Sequence, residues 1–490
     1  MKRIVAALAA GLVVVLAILL ARTLSMGSRQ IAVDPAPPIA LDADAAATRL
    51  AGALQFQTVS YQDAAQFDGQ QFLALREYLA AQFPRVHQAL QLEVVNDYSL
   101  LYTWKGTGNE APILLLGHID VVPVDPATAG AWTHPPFGGV IADGYVWGRG
   151  AIDDKGSVLG ILEAVELLLA AGYQPPRTVI IAFGHDEEIL GERGAKAMSA
   201  LLAERGVAPA LVLDEGGAIL VDVFPGVAAP VASIGIAEKG YVSIELTVDG
   251  VGGHSSVPPT RTAVGQLSTA VDRLQKNLVP ANLDAAIGRT FDYLGSEMSL
   301  PMRMVIANMW LFQPLVEWQM AQEPRTNAAI RTTTAPTMFH AGVKENQLPT
   351  TARAVVNFRI LPGDTVETVV EHVRRTIDDP AVNVTVLGLA DNPSPVSDVD
   401  GPAFAYLART VEATNPDVVV APFLVLGATD ARQYVRLAPK SVFRFAATRT
   451  HPDDIPRFHG LNERIGVDNY AGLIRFYAEL LRNLGEFQSK

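Results

Sequence analysis

The stretch ILLLGHIDVVP, residues 113–123, decides the fold. Four apolar residues, Ile113 to Leu116, end at Gly117, and His118 and Asp120 follow at once. A short run apolar on both faces, closed by glycine, predicts a strand buried in a parallel sheet. Residues 178–183 and 210–213 repeat the pattern, and helical spacing fills 156–171 and 195–205 between them. Strands alternating with helices predict an α/β fold, a mostly parallel central sheet covered by helices on both faces. Such sheets bind ligands beyond the carboxyl ends of their strands. His118, Glu187, Glu188 and Asp214 all fall just past a predicted strand.

Outward from this core, 45–54 and 69–83 carry helical spacing, and 92–95 and 100–104 are short strand-like runs. Near residue 238 the texture changes. Across 240–249 Val242, Ile244, Leu246 and Val248 alternate with polar residues, the pattern of a sheet with one covered face. Helical spacing at 264–278 and 366–376 and a second alternating run at 352–360 complete a smaller α+β domain inserted at 238–380. It interrupts a catalytic domain formed by 45–237 and 381–490. Within it, 280–350 is irregular apart from a predicted helix at 302–322, which carries Trp310 and Trp318. After 400 the first texture returns, with helices at 403–414 and 469–484 and a strand at 418–420.

The 490 residues carry 51 acids against 38 Lys and Arg, a net charge of −13, which argues against nucleic acid as a partner. There is no cysteine, so disulfides, thiolate nucleophiles and thiolate metal sites are excluded, and any metal must be held by His, Asp and Glu. Ile4 to Ala21 is an uncharged apolar run behind Lys2 and Arg3. At 1.5 Å per residue it spans roughly 27 Å, close to a hydrocarbon core. The segment 1–25 reads as a membrane anchor, or as a signal segment if it is cleaved. Either way the basic residues keep the N-terminus cytoplasmic and the body outside. Residues 26–44, with DPAPP, read as a tether.

Three motifs carry the chemistry. His118 alone reads more readily as a packed or surface residue than as a ligand. His118-x-Asp120 on an extended segment puts a carboxylate on the same side as the imidazole, where it orients a ligand. WGRGAIDDKG, 147–156, places Asp153 and Asp154 in a glycine-rich loop opening a helix, where helix capping is the plain alternative to metal ligation. GHDEEILGERG, 184–194, places Glu187 and Glu188 at the sheet mouth, where one carboxylate binds metal and its neighbour moves a proton. A solvated acidic loop is the alternative there.

In combination, GHIDVVP, GRGAIDDKG, Glu187-Glu188, LDEG at 213–216 and HGLNE at 459–463 resemble the co-catalytic zinc exopeptidases, which include aminoacylase, glutamate carboxypeptidase and desuccinylases. The nearest branch is that of Gly-X carboxypeptidase and the secreted N-acyl-amino-acid hydrolases. The resemblance spans about 45–485. It implies two zinc ions per subunit, replaceable by cobalt or manganese. His118, Asp153 and Asp214 would hold one, and Asp153, Glu188 and His459 the other, with Glu215 the alternative to Asp214 and His451 the alternative to His459. Glu187 would be the general base and Asp120 the orienting acid. His254, in GGHSS at 252–256, would polarise the scissile carbonyl, and in relatives it often comes from the partner of a homodimer formed through the insert. Asn346, Arg359 and Arg432 would contact substrate, the arginines gripping a free carboxylate. The implied substrates are small peptides or N-acyl amino acids. An aminopeptidase with a similar metal site and a non-catalytic binding module are the competing readings. Lys239, Asp143, His134 and Tyr145 read as structural.

Overall fold

The computed structural model describes residues 1–283 and 286–488. In chain order, the elements that frame the site are α1 (Lys2–Ser25), β1 (Gln91–Val95), β2 (Ser99–Trp104), β3 (Ile113–His118), α2 (Lys155–Ala170), β4 (Val179–Gly184), α3 (Ala195–Glu204), β5 (Leu211–Asp214) and β6 (Val231–Glu238). The insert follows with β7 (Gly240–Asp249), α4 (Ala263–Lys276), α5 (Leu300–Ala307), α6 (Met309–Met320), β8 (Thr333–Ala341), β9 (Thr351–Ile360), α7 (Val366–Ile377) and β10 (Val382–Asp391). Then come β11 (Val419–Val425), β12 (Val442–Arg444) and α8 (Val467–Arg482).

The large sheet runs β1-β2-β4-β3-β5-β12-β6, with β11 beside β6. Its centre is parallel: β3 pairs in parallel with β4 and β5, β5 with β12, and β6 with β11. Residues of β3 alternate between two cores. Ile113 and Leu115 face the core that contains α2 and α8, whereas Leu114 and Leu116 face the one that contains Ala195, Met198 and Leu202 of α3. Both faces being covered is why ILLL shows no polar position. The order brings the carboxyl ends of β4, β3 and β5 side by side, where their acids and imidazole emerge.

The second sheet, β8-β9-β7-β10, is antiparallel throughout. Val242, Ile244, Leu246 and Val248 pack with Leu267 and Leu274 of α4 and Val369 and Val373 of α7, so this sheet has one covered face, as the alternation predicts. Burying each such aliphatic side chain is worth about 1.5–3 kcal/mol. Three expectations need correction. The sheet takes its last strand from Val382–Asp391, beyond the expected boundary at 380, because VNVTV at 382–386 continues the alternation. Its edge strand β8 went unread because Pro336 interrupts it. The chain accommodates the proline on the outermost strand at a register shift between Pro336 and Met338. The single helix expected at 302–322 is two, α5 and α6, divided at Asn308.

Candidate metal centre

Five segments deliver the centre: the end of β3 and the stretches that carry Asp153, Glu187–Glu188, Glu215 and His459. His118 ends β3 with 1% exposure, and its Nε2 lies 3.0 Å from Asp153 Oδ1. Asp153 opens the approach to α2, and the Asp153–Asp154 peptide is cis. Its second oxygen, Oδ2, lies 3.1 Å from His459 Nε2. One carboxylate thus stands between two imidazoles, one oxygen toward each. His459 Nε2 is also 3.2 Å from Glu188 Oε2. Glu188 Oε1 is buried without a hydrogen-bond partner. Potential ligand atoms fall into three overlapping groups: His118 with Glu187 and Glu188; His118 with Asp153 and Glu215; and Asp153 with Glu188 and His459.

Electrostatics test whether these residues fit a cation. Burial, together with repulsion from Asp430, Glu188 and Asp153, pushes the Glu187 carboxyl well above the usual range. Burial and repulsion from Asp153, Asp154, Asp214 and Glu187 do the same to Glu215. Two like charges 4 Å apart repel by about 4 kcal/mol at an effective dielectric of 20. Asp153 goes the other way: burial opposes its charge, but hydrogen bonds from His118 and His459 hold its pKa low. An orphaned buried oxygen on Glu188 and four carboxylates sharing one cleft with two imidazoles fit divalent cations, which would relieve the repulsion.

The supporting residues explain the placement. Asp120, fully buried, accepts from Ser60 Oγ at 2.7 Å and from the amides of Glu187 and Glu188 at 3.2 and 3.1 Å. Glu463, buried against Arg149 at 2.7 Å, accepts the amides of Ile152 and Asp153, while Arg149 donates to the carbonyls of His459 and Gly460. This pair locks the Asp153 loop to the His459 loop. It was unassigned from sequence, although both residues lie inside the quoted motifs.

Asp214 and its alternative Glu215 differ in what their carboxylates hold. Its Oδ1 accepts the amide of Glu215 at 3.0 Å and its Oδ2 the amide of Ala431 at 2.6 Å, so both oxygens hold backbone. Burial raises its pKa to about 6. The adjacent Glu215 is the acid that joins His118 and Asp153. His451 is exposed and outside all three groups.

The remaining predicted residues stand outside these three groups. His254 is exposed on a two-stranded ribbon, paired with Gln347, and the amide of Ser255 donates to the Asn346 carbonyl, so these two candidates sit together in the insert. Arg359, on β9, stacks over Tyr241 at 5.0 Å and makes no ion pair among the described residues. Arg432 is already engaged: it binds Glu238 at 3.2 Å and Asp391 at 3.3 Å and donates to the Lys239 carbonyl. It ties the end of β6 to β10 across the junction of the two sheets.

An α/β sheet whose acidic mouth gathers His, Asp and Glu able to hold metal ions, with an inserted second sheet, has the form of a metallohydrolase. Residues 114–483 match Peptidase family M20/M25/M40, and the chain belongs to that family. It is 43% identical over 446 residues, covering 90% of this chain and 85% of the other, to a probable carboxypeptidase S-like 2 of Dictyostelium discoideum. It is 42% identical to the N-fatty-acyl-amino acid synthase/hydrolase PM20D1 of Xenopus tropicalis, covering 89% of this chain and 85% of that one. In fold it is similar to an M20 family metallo-carboxypeptidase, Sso-CP2, from Sulfolobus solfataricus, with a TM-score of 0.64 at 19% identity, covering 89% of this chain and 98% of that one.

Proposed function

We propose that this protein hydrolyses an amide bond next to a free carboxylate, in small peptides or N-acyl amino acids, with two zinc ions at the centre, cobalt or manganese being substitutes. The observation that carries the reading is Asp153, whose two oxygens face the imidazoles of His118 and His459. His118, Asp153 and Glu215 would hold one cation, and Asp153, Glu188 and His459 the other. Bound cations supply Lewis acidity and lower the pKa of water at the centre.

Glu187 takes the proton from the attacking water and passes it to the leaving nitrogen. Its carboxylate lies 3.9 Å from His118 Nε2 and is tied by no hydrogen bond among the described residues. Asp120 fixes the tautomer of His118 and the backbone of Glu187. Arg359, its guanidinium unpaired, receives the substrate carboxylate, while Arg432 holds the junction. A second copy docked through the insert brings His254, and with it Asn346, toward the scissile carbonyl. The relatives named for carboxypeptidase and N-fatty-acyl-amino acid chemistry support both substrate classes. The α1 helix anchors the body outside the cytoplasm, or releases it if cleaved.

The test compares N-blocked and C-blocked dipeptides and N-acyl amino acids, with metal analysis of the same samples. Cleavage of N-blocked substrates, abolished by chelation and by Glu187→Gln with metal content unchanged, is the expected result. Cleavage of the C-blocked substrate alone would establish an aminopeptidase instead.

A further inference from the structure

α6 shows an apolar face that stands exposed among the described residues. Trp310, Pro314 and Trp318 follow at i, i+4 and i+8, with Leu311 and Leu315 beside them. Trp310 is 55% exposed, Leu315 52% and Trp318 59%. The opposite side of the helix is used normally: Met309, Val316 and Met320 pack against Leu283, Ile287 and Ile330. The outward stripe is therefore surplus to folding, and it carries no charge.

What lies beside it identifies the occupant. α1 is long and apolar enough to cross a membrane, and nearly all of it stands free of the protein. Only Leu19 and Thr23 are buried, at its C-terminal end. That end is fastened to the loop between α5 and α6. Asn308 Nδ2 donates to the Leu19 carbonyl at 3.1 Å and to Thr23 Oγ1 at 3.3 Å, Arg22 Nε donates to the Ala307 carbonyl at 3.1 Å, and Arg303 donates to the Met26 carbonyl. The unpacked apolar part, residues 4–18, is roughly 23 Å long at 1.5 Å per residue, most of the thickness of a hydrocarbon core. α1 thus emerges from the bilayer where it meets Asn308, and α6 starts at the next residue.

We propose that α6 is a membrane-docking surface that beds Trp310, Leu311, Leu315 and Trp318 into the headgroup–acyl boundary of the bilayer crossed by α1. Tryptophan concentrates at that depth because its ring is apolar and its N–H polar. The Trp310 indole N–H already turns inward to Asn308 Oδ1 at 3.3 Å, which leaves its hydrocarbon face outward. The stripe itself is uncharged, Glu317 being the one charged residue of α6, and α1 supplies the tether that a single short helix lacks. The body is then held to the membrane at two points, which removes its freedom to swing about the tether. This inference is independent of the chemistry at the metal centre.

The experiment uses the full chain, reconstituted into phosphatidylcholine vesicles with brominated acyl chains, and reads tryptophan fluorescence. Of the five tryptophans, Trp104 and Trp147 are buried and Trp132 is half-buried in the catalytic domain. The expected result is quenching by brominated lipid, most of it lost in the Trp310→Phe/Trp318→Phe variant. Leu311→Glu/Leu315→Glu, which alters only exposed positions, should weaken quenching while both indoles remain. Wild-type quenching that is absent, or equal in the double tryptophan variant, would overturn the proposal. So would an emission shift that tracks protein concentration in lipid-free micelles and ignores added lipid, which would make the occupant another protein.

Discussion

Asp120 Oδ1 lies 3.3 Å from His118 Nδ1, and the same carboxylate accepts the backbone amides of Glu187 and Glu188. One buried residue therefore sets both the ring that faces the cleft, which its backbone carbonyl also holds at 3.1 Å, and the loop that carries the proposed base. Asp120→Asn keeps the volume but presents an N–H₂ to groups that need an acceptor. The expected outcome is a loss of about 10–100-fold in metal affinity or activity, the usual cost of removing a group behind a metal-ligating histidine. Metal titration alongside kcat checks it, and thermal stability should fall far less than activity.

Arg149 and Glu463 form a second positioning pair, 3% and 0% exposed. Removing one partner of a buried pair strands the other charge and costs about 3–5 kcal/mol. Glu463→Ala should lower the melting temperature and also reduce metal content, because the amides of Ile152 and Asp153 lose their acceptor. A variant that is destabilised yet binds metal as tightly as wild type would assign the pair to folding alone.

These supports show where the sequence was legible and where it stopped. His118-x-Asp120 was readable because alternation on a strand is local, and so were the one-sided β7 and its helices. Choosing between Asp214 and Glu215 was not. The contact that sets the two apart in the structure is the amide of Ala431, which donates to Asp214 from 217 residues further on, and nothing in Leu-Asp-Glu-Gly reports it. Arg359 and Arg432 looked alike as grips for a substrate carboxylate. Only the fold shows that Glu238 and Asp391 occupy the second, while the first makes no ion pair among the described residues. The strand β6, read as VASIGIAE, was missed because it lies buried on both faces and two of its positions are Ser233 and Gly235.

That difference between the arginines is testable. Arg359→Met should raise KM for substrates with a free carboxylate by roughly 10-fold or more, given charge-assisted hydrogen bonds worth about 1.5–3 kcal/mol. It should leave the slow turnover of carboxamide analogues little changed. Arg432→Met should instead lower stability, since it leaves Glu238 with Arg444 as its one ion-pair partner among the described residues. Loss of carboxylate selectivity in Arg432→Met with none in Arg359→Met would reverse the assignment.

Lys239 sits between the two sheets, buried, with Nζ donating to the carbonyls of Ala328 and Arg331, each at 2.8 Å. Burial, helped by repulsion from Arg359, lowers its pKa from 10.5 to about 7. The folded state therefore binds fewer protons here than the unfolded state between about pH 7 and 10.5. Stability from this group must rise with pH across that window, and its cost is fully present below pH 7. Lys239→Met removes the titration, so the melting temperature of wild type relative to the variant should climb between pH 7 and 10. A difference that stays flat across that range would mean the ammonium keeps its charge, held by the two carbonyls. The junction would then carry a permanent cation beside Arg359.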